Sequence, residues 1–141
     1  MAVAFNKFQQ TVADLANKVH NLGADTLKIM LSNTAPTAVN AVKADIAEIS
    51  AANGYLAGGN VVAIASSTQT AGLYKLIPSG NVVFTASGGS FGPFRYAVLY
   101  NSTPGAGPLI GWYDYGSSIS VNSGTNFTVQ LDQSAGILQL Q

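Results

Sequence analysis

Apolar and polar positions change period once along this chain. From Phe5 to Val19 the apolar residues Phe5, Phe8, Val12, Leu15 and Val19 fall three and four apart, and Asn6, Lys7, Gln9, Gln10, Asp14 and Lys18 fill the other side. That spacing predicts an N-terminal amphipathic helix. His20, Asn21 and Gly23 follow at once and suit a helix C-terminus, where the dipole favours a cation and the chain needs a residue tolerant of left-handed backbone. Helix and cap together are expected to take up residues 1–23. Thr26 to Leu31 (TLKIML) then reads as a strand that ends at the turn-prone SNTAPT, and the alanine-rich residues 38–53 read as either a short helix or a loop crossing the domain.

From Gly54 onward the chain alternates instead of turning. Short runs rich in β-branched and aromatic residues recur at Val61–Ala65, Leu73–Ile77, Val82–Ala86, Phe94–Tyr100, Leu109–Tyr115, Ser118–Val121, Phe127–Leu131 and Ile137–Leu140, separated by Gly, Pro, Asn or Ser clusters. Strands of that length with such turns predict a sandwich or barrel. In NFTVQL, Phe127, Val129 and Leu131 share one face and Thr128 and Gln130 the other, so one face goes to a core and one to water. The expected fold is one domain, mainly β: an antiparallel, jelly-roll-like β-sandwich over residues 24–141, preceded by the N-terminal helix.

One strand departs from the pattern. Strict alternation puts Phe94, Tyr96, Val98 and Tyr100 on one side of Phe94–Tyr100 and Arg95, Ala97 and Leu99 on the other, so neither side is polar. Such a strand is central in a sheet or covered by a partner. Before it, Gly88, Gly89 and Gly92 permit a bend or bulge that side chains would obstruct. Arg95, the only arginine, requires a charge partner, because an unpaired buried charge is costly. That partner is either Asp114 of the same chain or a carboxylate of a neighbouring subunit.

Composition narrows the function classes. The 141 residues contain no cysteine, so disulfides, thiolate metal sites and cysteine nucleophiles are excluded together. Six Lys or Arg balance six Asp or Glu at only 9% charged residues, where about 25% is usual. So few charges at zero net charge favour association, and the expectation is that part of the surface is covered in the working state. The six cations are scattered singly, without the stripe a nucleic-acid binder needs to displace phosphate counterions. The start lacks a secretory pattern and no apolar run approaches the ~18 residues of a membrane span, so an intracellular, soluble product is expected, with no membrane partner.

Catalytic constellations are hard to assemble from what remains. GGSFGP lacks dinucleotide-fingerprint spacing and no Gly-Lys-Ser or Gly-Lys-Thr follows it. His20 is the only imidazole, sits outside any nucleophile motif, and reads as a capping or solvent-facing histidine. One histidine and dispersed carboxylates give no recognisable metal cluster. Asp45, Glu48, Asp114 and Asp132 are the carboxylates from which glycoside hydrolysis would need to recruit a pair. Asp45 and Glu48 read as a solvated helix face, and Asp114, inside GWYDYG, as a strand-end residue paired with a base such as Arg95. Trp112, Tyr113 and Tyr115 suit either an interface anchor or core filling. No catalytic residue, cofactor or metal is therefore expected, and the candidate interface is Phe5, Phe8, Arg95, Tyr96, Trp112, Tyr113, Asp114 and Tyr115.

Four segments, residues 3–37, 42–55, 82–101 and 109–121, together resemble small virion proteins of tailed bacteriophages. The likeness covers nearly the whole chain and contains no catalytic signature. It implies a structural role without enzymatic activity, similar to the cement or decoration proteins that clamp capsid subunits. The expected partners are a major capsid protein and further copies of the chain, as a dimer or trimer. The expected location is the capsid surface of the virion, after synthesis in the host bacterial cytoplasm. A tail or fibre component that binds host glycans is the other implied role.

Overall fold

The structure, a computed structural model, describes residues 3–141. It is mainly β, with ten strands and one short α-helix. In chain order these are β1 (Phe5–Lys7), α1 (Gln10–Ala16), β2 (Leu27–Ser32), a 3-10 turn at Lys43–Asp45, β3 (Asn60–Val62), β4 (Ile64–Thr70), β5 (Leu73–Pro78), β6 (Val82–Thr85), β7 (Phe91–Asn101), β8 (Leu109–Val121), β9 (Asn126–Val129) and β10 (Leu138–Leu140). They form a five-stranded sheet in the order β1-β8-β7-β2-β3, a three-stranded sheet β10-β5-β4, and a two-stranded sheet β6-β9, all antiparallel. No helix among the described residues is long and apolar enough to cross a membrane.

The arrangement is sandwich-like. Ile29 and Leu31 of β2 and Ala97 and Leu99 of β7 point from the large sheet into the main core, where Leu76, Val82, Phe84 and Val129 of the smaller sheets meet them. The neighbours in sequence, Met30, Val98 and Tyr100, point the opposite way into a second cluster with Phe8, Ile46 and Leu109. A strand apolar on both faces is thereby explained: β7 lies in the middle of the five-stranded sheet, and the chain's own N-terminal segment and 42–46 loop cover its outer face.

Two expectations need correction here. The predicted helix over residues 1–23 is confined to Gln10–Ala16, and its buried residues are Thr11 and Asp14, whereas Val12 is 55% exposed. Phe5 to Lys7 instead pair with β8, Phe5 opposite Tyr113 and Lys7 opposite Gly111. A spacing of three puts two residues on one side of a helix but on opposite sides of a strand. Phe5 accordingly packs against the main core and Phe8 against the second cluster. Thr11 fixes the helix by donating its hydroxyl to the Leu109 and Ile110 carbonyls at 2.9 and 3.0 Å.

The second correction concerns β7. Its register against β8 shifts between Phe94 and Tyr96, so Phe94 joins Ala97 and Leu99 in the main core and leaves the Val98 and Tyr100 face. A one-residue slip inverts every side chain beyond it, which strict alternation cannot anticipate. Two predicted strands, Leu109–Tyr115 and Ser118–Val121, are one continuous β8.

Candidate interface site

Arg95 and Asp114 sit on adjacent strands, and the register shift in β7 brings them side by side. The guanidinium donates from Nε to Asp114 Oδ1 at 2.7 Å and from Nη2 to Oδ2 at 2.9 Å. The partner left open by the sequence is thus within the same chain. Asp114 is held below the usual carboxylate range by Arg95 first, and also by the Gly116 N–H, which donates to Oδ1 at 2.8 Å. Arg95 is shifted further up by the same contact, and its guanidinium lies 5.4 Å from the centre of the Tyr96 ring. The two side chains are 40% and 36% exposed, so water screens the pair and it positions β7 against β8 more than it stabilises the fold. Arg95 is thus half-buried, not sealed in the core.

The eight candidate residues fall on different sides of the large sheet. Phe8 and Trp112 lie together on the outer face, ring centres 4.6 Å apart, with Phe8 fully buried and Trp112 half-buried over the second cluster. Phe5 and Tyr113 meet on the inner face at 5.3 Å, and burial pushes the Tyr113 hydroxyl up to about 12. Tyr96 is buried. Tyr115, 48% exposed, meets the Phe127 ring edge-on at 5.5 Å. Trp112 packs on Phe8 and Tyr113 on Phe5, both half-buried, and Tyr115 is the most exposed of the three aromatic residues.

Arg95, Tyr96, Tyr113 and Tyr115 border one groove of about 540 Å³, closed on its far side by residues 126–130. Phe94, Ala97 and Phe127 line it with apolar side chains, and Arg95 is its only charged lining residue among the described residues. The sequence pointed to neither Phe127 nor Asn126 as site residues. The alternation of NFTVQL was visible, but the place where the second layer stops is a matter of strand order.

The remaining carboxylates each accept hydrogen bonds from the chain's own groups. Asp45 accepts from the Ala41 and Val42 backbone N–H groups at 2.8 and 3.1 Å, and these bonds hold its carboxyl below the usual range. Asp132 does the same for Ser134 and Ala135 at 2.8 and 2.7 Å, also with a lowered carboxyl. Glu48 lies outside any helix, pairing as an isolated bridge with Ser32. It accepts from the Tyr55 hydroxyl at 2.7 Å and from the Gly58 N–H, with Lys43 Nζ at 3.6 Å. Burial drives the Tyr55 hydroxyl far up. Asp14 accepts from Gln10 at 3.0 Å and Asp25 from Asn101 at 2.6 Å, so all six carboxylates are engaged in holding the chain's own structure. No cluster of three or more potential metal ligands occurs among the described residues.

His20 departs from its expected surface position. The chain turns in after α1, and the ring is buried, with Nδ1 3.2 Å from Asn101 Nδ2 and Nε2 3.9 Å from Asp14 Oδ2. Asn101 Nδ2 donates, so Nδ1 accepts and the proton resides on Nε2, a buried atom without a hydrogen-bond partner among the described residues. Burial lowers the affinity of His20 for a second proton, and Asp14 and Asp25 offset this in part. The folded form thus takes up a proton at lower pH than the unfolded one, whose value is about 6.5. The contribution of His20 is full above about pH 6.5 and is lost as pH falls through the lower folded value. Denaturant unfolding at about pH 7 and about pH 5 is expected to give the smaller free energy at the acid end, with His20→Gln narrowing the difference. An unchanged difference in that variant would remove His20 as its source.

Comparison of the chain with family models, curated proteins and solved structures finds no match.

Proposed function

We infer that this chain is a structural protein of a tailed-bacteriophage particle, a head decoration or cement protein that binds the assembled capsid and stabilises it. The observation that carries this reading is that every carboxylate is engaged inside the fold, while uncharged surface with exposed apolar side chains is left open. Val12, Val39, Leu56, Val61 and Tyr115 are among those exposed residues. That chemistry suits adhesion through contact area and offers no acid–base pair for turnover. The four phage-like segments supply the particular setting, a virion surface contacted by the major capsid protein and by further copies of the chain, with synthesis in the host cytoplasm.

A cement protein works by mass action. Binding the assembled shell better than its free subunits shifts the equilibrium towards assembly. Each contact can be modest, because many copies act on one shell.

The test is electron cryomicroscopy of purified virions of the phage that encodes the chain, with a particle lacking it as control. Density bridging capsomers, and deletion particles that assemble but break at lower temperature or on osmotic shock, are the expected results. Density in the tail would move the assignment to a tail or fibre component, where the Tyr115 groove is the first place to look for a glycan. Absence from the particle would overturn both, and a loss of hydrolytic turnover in Asp114→Asn with folding intact would point to an enzyme.

A further inference from the structure

The two-stranded sheet stops at β9, and its register shows which way the last backbone groups face. β6 and β9 pair Phe84 with Phe127 and Val82 with Val129, and in the same register the Ala86 N–H donates to the Thr125 carbonyl at 3.0 Å. Antiparallel pairs alternate between those that exchange hydrogen bonds and those that do not. Phe127 and Val129 therefore turn their backbone groups to β6, and Asn126, Thr128 and Gln130 turn theirs away. The Leu131 N–H fits this parity, donating back across to Asn81 Oδ1 at 3.0 Å. Among the described residues no strand pairs with the outer edge of β9, and the backbone of Asn126, Thr128 and Gln130 makes no hydrogen bond.

That edge forms one wall of the groove beside Tyr113 and Arg95. Natural sheets guard a free edge with lysine, proline or an inward charge. Residues 126–130 (NFTVQ) have none of these. The unpaired row faces a recess lined by the apolar Phe94 and Ala97, so a strand laid there meets both backbone partners and a place for side chains.

The geometry points to a docking site for one extended, uncharged segment of a partner polypeptide, added as a third strand beside β9. Residues 126–130 span about 13 Å at ~3.3 Å per residue, which fits a segment of about five residues. Its alternate apolar side chains would face Phe94, Ala97 and Tyr113. Arg95, already neutralised by Asp114, calls for no charge on the segment. A second folded copy offering its own β9 is a poorer fit. Antiparallel edge pairing keeps both inner faces on one side, and Tyr113 of β8 lines the groove beyond the β9 edge, in the space that the copy's own β8 would need. The inference holds for any assembly in which the chain works and does not rest on the particle reading.

The probe is the acetylated and amidated peptide NFTVQL, which alternates as the docked segment must, against FVLNTQ, which has the same composition without the alternation. Expected in amide NMR spectra of the whole chain are shifts and slowed hydrogen exchange at residues 126, 128 and 130 with NFTVQL. Binding of FVLNTQ, and of NFTVQL to Thr128→Pro, is expected to be at least about tenfold weaker, because the proline removes an outward N–H that the β6 ladder does not use. No response at millimolar peptide, an equal response to both peptides, or protection of those amides before peptide is added would each overturn the proposal. If Thr128→Pro does not fold, the two peptides on the unaltered chain decide.

Discussion

Replacing Phe8 with alanine is expected to lower the free energy of unfolding by about 3–5 kcal/mol and to shift the emission of Trp112 to the red. Phe8 is fully buried in a cluster of six residues that covers the outer face of β2 and β7. Its ring is also the surface on which Trp112 lies, at 4.6 Å and 44°. Truncation removes the transfer free energy of the ring and leaves a cavity, and this cluster has little else to fill it. Met30, Val98 and Leu109 are held by their strands, and Ile46 follows a 3-10 turn pinned by Asp45. Trp112 is the only tryptophan, so its emission reports this one site while circular dichroism follows the whole fold. Phe5→Ala, at a partly exposed position on the other face, should cost less and leave the emission nearly unmoved. Denaturant titration of both variants checks this. A loss below about 1 kcal/mol for Phe8→Ala would mean that the second cluster is not a core.

The same two phenylalanines mark where the sequence could be read and where it could not. Most strands from Leu27 onward were legible because their runs are rich in β-branched and aromatic residues and bounded by turn residues, whereas the predicted Val61–Ala65 strand is divided between β3 and β4 in two different sheets, and the polar Ser66–Thr70 of β4 gave no local signal. Within residues 5–19 a helix forms at Gln10–Ala16, but Phe5–Lys7 were misread, because spacings of three and four fit a helix and nothing local told of β8 waiting to pair with them. Pairing across about a hundred positions overrode the periodicity. His20 was misplaced for the same kind of reason: its burial depends on Asp14 and on Asn101, a strand residue far along the chain. Charge scarcity showed that Arg95 needs a partner and put forward Asp114 as one candidate, with a neighbouring subunit's carboxylate as the other. Their geometry beside a groove required the register shift between Phe94 and Tyr96. The open edge of β9 was illegible altogether, because a free edge is a property of sheet order and leaves no mark in the residues that form it.

Gly59→Ala is the second large effect, and it tests whether the 46–59 loop is a structural part of the sheet. Gly59 has φ +73°, and a Cβ there would collide with the backbone carbonyl of Ile29 in the middle of β2. A left-handed backbone costs an ordinary residue about 1–2 kcal/mol. The collision cannot be relieved by a rotamer, because the obstacle is backbone, so the loop must lift from β2. Lifting it separates groups that the loop brings together: the Gly58 carbonyl from the Tyr100 hydroxyl, now 2.8 Å apart, and the Gly58 N–H from Glu48. Each buried polar group left without its partner costs about 1–3 kcal/mol, so a total loss above about 3 kcal/mol is expected. Gly72→Ala is the matched control, since Gly72 has φ +85° with nothing near its absent Cβ. It incurs the backbone strain alone. If both alanine variants unfold at the same denaturant concentration, strain accounts for everything and the loop is only draped over β2. If Gly59→Ala is the weaker by about 2 kcal/mol or more, the close approach of Gly59 is what seats Glu48, Tyr55 and Tyr100 in one hydrogen-bonded group against the large sheet.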